Sequence, residues 1–163
     1  MSVKITFDRA VAKEDRYKAI IPQIESLIDG EENFVANLSN ISSVLKYSFE
    51  NFNWTGFYLF DKSANELVLG PFQGKVACTR IKTGNGVCGS AVKEKRTIIV
   101  EDVNKFESHI FCDPDSKSEI VIPVIKDDDV KGVLDIDSDK LSNFDLTDKK
   151  YLEELISKIL KIF

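Results

Sequence analysis

Apolar residues recur along the chain with two different periods. Tyr17, Ile20, Ile21, Ile24, Leu27 and Ile28 fall three and four apart, a spacing that gathers side chains on one face of a helix. Pro22 lies inside this pattern. It has no amide proton, so it either opens the helix near its first turn or kinks it. Gly30 ends the segment. Phe34, Leu38, Ile41 and Leu45 step by 4, 3 and 4 and predict a second helix. Past Asn51 the period changes. Residues 56–60 are an aromatic, apolar run suited to a strand, residues 61–65 form a turn, and residues 66–69 complete a hairpin. Residues 76–81 predict a third strand. A Gly-rich turn over residues 83–89 leads into a short helix ending near Lys95, and residues 97–100 predict a short strand. Residues 101–118 carry no period, and connections that long in compact domains are often functional. Residues 120–125 and 130–137 predict two further strands joined by residues 126–129. Asp145 is an N-cap with Asp148 three residues on, ahead of the apolar face of Leu152, Leu155, Ile156, Ile159 and Leu160.

The order is α-α-β-β-β-α-β-loop-β-β-α. Short connections between clustered strands favour antiparallel pairing. The expectation is an α+β domain with one central, mostly antiparallel six-stranded sheet and helices packed against it. No repeat or linker interrupts the pattern, so residues 1–163 are expected to form one domain.

Composition narrows the function. The 163 residues include 22 Lys and Arg against 27 Asp and Glu, a net charge of −5, with 43% hydrophobic and 30% charged residues. These values are those of an ordinary globular domain, without the low-complexity tracts of disorder. No apolar run reaches the length of a membrane span. Residues 1–15 are polar and lack the apolar core of a signal peptide. The acidic balance disfavours nucleic acid as a partner. Three cysteines are too few for a secreted disulfide scaffold. The expected setting is the cytosol with reduced thiols, nuclear entry by diffusion remaining open to so small a chain.

Several residue patterns suggest chemistry. Gly84, Gly86 and Gly89 spell G-x-G-x-x-G after a predicted strand and before a helix, with Glu101 beyond, as in a dinucleotide fingerprint. The residues from Gly89 to Thr97 are too few for the crossover helix of a parallel unit. A tight turn needing flexible backbone is the plainer reading. Asp135, Asp137 and Asp139 alternate as in a calcium loop, but Lys140 stands where glycine is required and Leu146 where the bidentate glutamate belongs. In a strand, Val133, Asp135 and Asp137 share one face and Leu134 and Ile136 the other. That polar face is either solvated or a pair of carboxylates lining a pocket. In the second case, desolvation and like charge raise a pKa and make a general acid. Cys78 lies in a strand-like run. Cys88 sits between Gly86 and Gly89 at a helix start, where the dipole favours thiolate, and Cys112 sits in the long loop beside Asp113 and Pro114. A zinc site from the three cysteines and His109 lacks the paired knuckle spacing. Trp54, Phe57 and Tyr58 form an aromatic patch, either core or the wall of a pocket for a small apolar group.

These residues fall in segments that closely resemble the free methionine-R-sulfoxide reductases, enzymes with a GAF fold. The matching segments are residues 53–58, 67–75, 84–89, 109–113, 118–121 and 132–138. They include Trp54-Thr55-Gly56-Phe57-Tyr58, Gly84-Asn85-Gly86-Val87-Cys88-Gly89, His109-Ile110-Phe111-Cys112-Asp113 and Leu134-Asp135-Ile136-Asp137. The resemblance implies reduction of the R epimer of free methionine sulfoxide, with no cofactor and no metal. The family's nucleophile falls on Cys112, with Cys78 its main resolving partner and Cys88 a second redox cysteine. The helix-start setting of Cys88 would also suit a nucleophile. The family's acidic ligands fall on Glu119, Asp135 and Asp137. Its substrate pocket falls on Trp54, Tyr58 and Asp113. The resemblance further implies a sulfenic acid, an intramolecular disulfide between Cys112 and Cys78 or Cys88, thioredoxin as reductant, and a homodimer. The competing reading is a GAF binding module that senses a small molecule without catalysis.

Overall fold

The computed structural model describes residues 4–107 and 113–163. Four α-helices and six strands follow the expected order. They are α1 Lys13–Ile28, α2 Phe34–Ser48, β1 Trp54–Asp61, β2 Glu66–Gln73, β3 Arg80–Lys82, α3 Gly86–Glu94, β4 Ile98–Val100, β5 Ser118–Lys126, β6 Asp129–Ser138 and α4 Leu146–Ile159. A short 3-10 turn, Val103–Lys105, lies within the stretch read as irregular. Pro22 sits inside α1 and does not open it, because the helix begins a full two turns earlier, at Lys13. None of the described helices is long and apolar enough to cross a membrane.

The strands form one sheet in the order β3-β2-β1-β6-β5-β4, and every pairing is antiparallel. The sheet separates two apolar layers. On one face, α1, α2 and α4 cover Phe57, Ile120, Ile122, Leu134 and Ile136. Each fully buried Ile or Leu in this layer contributes roughly 1.5–3 kcal/mol of burial. Asp148 is buried in the same layer, and its charge is satisfied there. Tyr17 donates a hydrogen bond to it at 2.8 Å and Lys13 pairs with it. Asp145 and Asp148 form the capping box expected from the sequence. On the other face, α3 packs over Tyr58, Val121 and Val133.

Strand β3 is shorter than expected. Residues 76–79 lie outside the ladder. Gly74, at φ +145°, turns the chain out of β2, and Val76 ends up 86% exposed. Cys78 therefore lies in an irregular connection rather than in a strand. The Gly-rich turn is a turn and a helix start. Gly84 and Gly86 both have positive φ, the region that glycine enters at no steric cost. Strands β3 and β4 stand at opposite edges of the sheet, so α3 and its flanking turns cross the whole face. That crossing roofs the site.

Candidate active site

The floor of the site is set by strand register. Asp137 of β6 is paired with Trp54 of β1 on one side and with Glu119 of β5 on the other. Asp135 is paired with Gly56 and with Val121. Opposed residues point to the same face of a sheet, so Trp54, Tyr58, Glu119, Asp135 and Asp137 converge. Gly56 is required there. A Cβ at that position would lie 2.3 Å from Phe72 Cβ and 2.7 Å from the Trp54 ring. The bare backbone lets the indole lie flat, stacked between Phe72 at 5.3 Å and Tyr58 at 5.9 Å. Trp54 Nε1 donates to the Lys75 carbonyl at 3.0 Å, and the Tyr58 hydroxyl donates to the Cys78 carbonyl at 3.0 Å. The aromatic wall thus holds the connection that carries Cys78.

The roof comes from α3, whose Cys88 approaches Glu119 with Sγ 4.0 Å from Oε1. The rim comes from Val76, Ala77, Asp113 and Ser116, which line the same pocket. Lys75 spans the two rim segments. Its ammonium lies 3.4 Å from the Asp113 carboxylate and also pairs with Asp115.

Glu119 and Asp135 are each only 6% exposed, which excludes the solvated face. Asp137 is half-buried. Burial is the main reason all three carboxyls hold protons more tightly than usual. Burial pushes Asp135 up to about 7. Glu119 is pushed well above the carboxylate range by burial and then by the charges of Asp135 and Asp137. Asp137 is raised by burial and then by Asp135. One carboxylate oxygen of Glu119 and one of Asp135 lie within 4.8 Å of each other, so a charge on either disfavours a charge on the other. Cys88 is a buried free thiol whose proton is held well above its ordinary range. The cause is burial, reinforced by Asp135 and Glu119. The expectation that the start of α3 favours thiolate is therefore overturned, because desolvation and three nearby acids outweigh half a unit of helix-end charge.

Comparison with known proteins places this geometry. Residues 41–160 match the GAF domain family. The free methionine-R-sulfoxide reductase of Saccharomyces cerevisiae is 45% identical, over 96% of this chain and 91% of that protein. The chain belongs to the free methionine-R-sulfoxide reductase family. GAF domain-containing protein A of Dictyostelium discoideum is 54% identical, over 89% of this chain and 90% of that protein. The X-ray structure of free methionine-R-sulfoxide reductase from Neisseria meningitidis in complex with its substrate superposes with a TM-score of 0.96. It is 46% identical and covers 99% of this chain and 96% of that one.

Within this member of the reductase family, the fold brings together Trp54, Tyr58, Cys88, Asp113, Glu119, Asp135 and Asp137. Cys78 is disulfide-bonded and follows the rim residue Ala77, its carbonyl accepting from the Tyr58 hydroxyl. Cys112 and His109 lie outside the described residues. The zinc set weighed from the sequence is not what forms, since Cys78 is disulfide-bonded while Cys88 faces Glu119 and Asp135. Phe57 leaves the aromatic patch. Strand alternation turns it to the opposite face, where it packs with the helical layer. Sequence reasoning gave no role to Gly56, Phe72, Lys75 or Ser116. The first three lie in the segments that carry the resemblance, but only the β1–β2 register shows that Phe72 backs Trp54.

Proposed function

We propose that this chain reduces free methionine-R-sulfoxide to methionine, with Cys112 as nucleophile and Cys78 as resolving thiol. The observation that carries the proposal is the burial of Glu119 and Asp135 side by side, facing Trp54 and Tyr58, in a chain of this family. The Cys112 thiolate attacks the electrophilic sulfoxide sulfur. The oxygen is a poor leaving group until protonated, and a carboxyl of the Glu119, Asp135 and Asp137 cluster supplies the proton. Raised pKa values, such as the value near 7 for Asp135, keep that proton available at neutral pH. The oxygen passes to Cys112 as a sulfenic acid, and methionine leaves. The Cys78 thiol then condenses with the sulfenic acid, forming the disulfide and releasing water. A disulfide at Cys78 beside a free thiol at Cys88 supports this division of labour. A dithiol protein such as thioredoxin, in the cytosol, returns both thiols by exchange.

Trp54 and Tyr58 bind the methyl end of the substrate, and the acids, Asp113 among them, engage its ammonium group. Replacing Cys112 by Ser tests the assignment. The variant is expected to bind the free sulfoxide and to turn none over. Unchanged binding and no turnover in wild type and variant alike would favour a sensing module instead.

A further inference from the structure

The pocket floor combines sulfur and oxygen donors. Cys88 Sγ, one carboxylate oxygen of Glu119 and one of Asp135 all lie within 4.8 Å of one another. Exposed acidic clusters are common, but all three of these residues are buried, Cys88 to 3% exposure. They project from two paired strands of the sheet and from the first turn of α3, so their positions are held by regular structure. Around a tetrahedral zinc ion, bond lengths of about 2.3 Å to sulfur and 2.1 Å to oxygen set ligand atoms about 3.4–3.6 Å apart. The Cys88–Glu119 separation is 4.0 Å. No pair of the three is more than 4.8 Å apart, so binding would require the side chains to draw in by up to about 1 Å.

A second observation points the same way. Asp135 Oδ1 is buried and has no hydrogen-bond partner, and Asp135 lines the pocket. A buried carboxylate oxygen left unpaired is costly, and a donor or a cation relieves it.

We propose that Cys88, Glu119 and Asp135 form a binding site for a thiophilic divalent cation of the zinc type, with water completing the coordination. A thiolate and two carboxylates carry three negative charges, which a dication reduces to one. Binding displaces the thiol proton and any carboxyl proton into solvent. Because Cys88 is free while Cys78 is disulfide-bonded, the site persists when that disulfide is formed. On the reductase reading, the same ion occupies the carboxyls that face the sulfoxide, so such cations act as reversible inhibitors. Binding itself does not depend on that reading.

Cobalt(II) is the probe, added to the full-length Cys78→Ser/Cys112→Ser protein, in which Cys88 is the sole thiol. One equivalent is expected to give a thiolate-to-cobalt charge-transfer band in the near ultraviolet, displaced by zinc. Adding Cys88→Ser should abolish the band while leaving the far-ultraviolet circular dichroism unchanged. Adding Glu119→Gln or Asp135→Asn should instead weaken cobalt binding at least tenfold. Absence of a band, or a band that survives Cys88→Ser, overturns the proposal. So does unchanged affinity in both carboxyl variants, which also decides the matter should Cys88→Ser fail to fold. Failure of the reductase reading shows separately, as lack of turnover by wild-type protein.

Discussion

Asp137 lies directly opposite Glu119 across the β5–β6 ladder, so two acids share one face of the sheet at neighbouring positions. Opposed side chains in an antiparallel pair have Cβ atoms about 4.5–5.5 Å apart. A slip of β5 by one residue would turn Glu119 to the helical face, where Ile120 now packs, and break its pairing with Asp137. The hydrophobic alternation that fixes this register therefore also builds the acid cluster. Two desolvated carboxyls so close cannot both ionise cheaply, and one keeps its proton.

On the proposed mechanism, Glu119→Gln removes one carboxyl of the cluster that protonates the sulfoxide oxygen but conserves shape. Turnover is expected to fall by about 10²–10⁴-fold, the usual worth of general acid catalysis. The rate of the wild-type protein is expected to decline as pH rises past about 7, where Asp135 gives up its proton. Steady-state rates across pH 5.5–9 (about neutrality on either side) check both expectations.

Asp135 also makes stability depend on pH. Its folded pKa, about 7, lies above its ordinary 3.8. Between those values the native state keeps a proton that the unfolded chain has released, so stability falls as pH rises through this window. The penalty is complete above the folded value. Asp135→Asn removes it. The variant is expected to melt higher than wild type near pH 8, with the difference fading toward pH 4. Thermal melts by circular dichroism at the two pH values decide this.

Cys88 is buried and its thiol is held protonated by burial and by Asp135 and Glu119. Each unit of raised pKa lowers the thiolate fraction about tenfold. In native, reduced protein at pH 7.5 (roughly one unit below a free thiol), iodoacetamide is expected to leave Cys88 unmodified and to label it on unfolding. Peptide mass spectrometry after timed alkylation provides the measurement.

Gly56→Ala drives a methyl group into Phe72 and the Trp54 ring, at 2.3 Å and 2.7 Å. Overpacking of this kind costs about 1–3 kcal/mol. A melting temperature lower by about 3–10 °C is expected, with a raised KM because the indole no longer lies flat.

Much of this was legible in the chain, and the failures have physical causes. The 3.6 period located α1, α2 and α4, composition and turn residues located the other main elements except most of β3, and alternation put Asp135 and Asp137 on one face. Alternation could not say which face is buried, since that depends on α3 crossing from the β3 edge to the β4 edge. Phe57 was legible by the same period that joined Trp54 to Tyr58, but grouping neighbouring aromatics obscured it. Val76, Ala77 and Cys78 are apolar enough for a strand, yet Gly74 turns them out of the ladder, and Val76 and Ala77 form part of the pocket rim. For Cys88, a local rule about helix ends gave way to burial beside acids that are distant in sequence. Lys75 and Ser116 carry no periodic signal, and only the fold brings them to the rim.

The most direct test is turnover of free methionine sulfoxide by fully reduced protein with a thioredoxin system. The R and S epimers are assayed separately beside a peptide-bound sulfoxide. The account expects methionine from the free R epimer alone. No turnover of any of the three by folded protein, or equal turnover of the peptide-bound form, would contradict it.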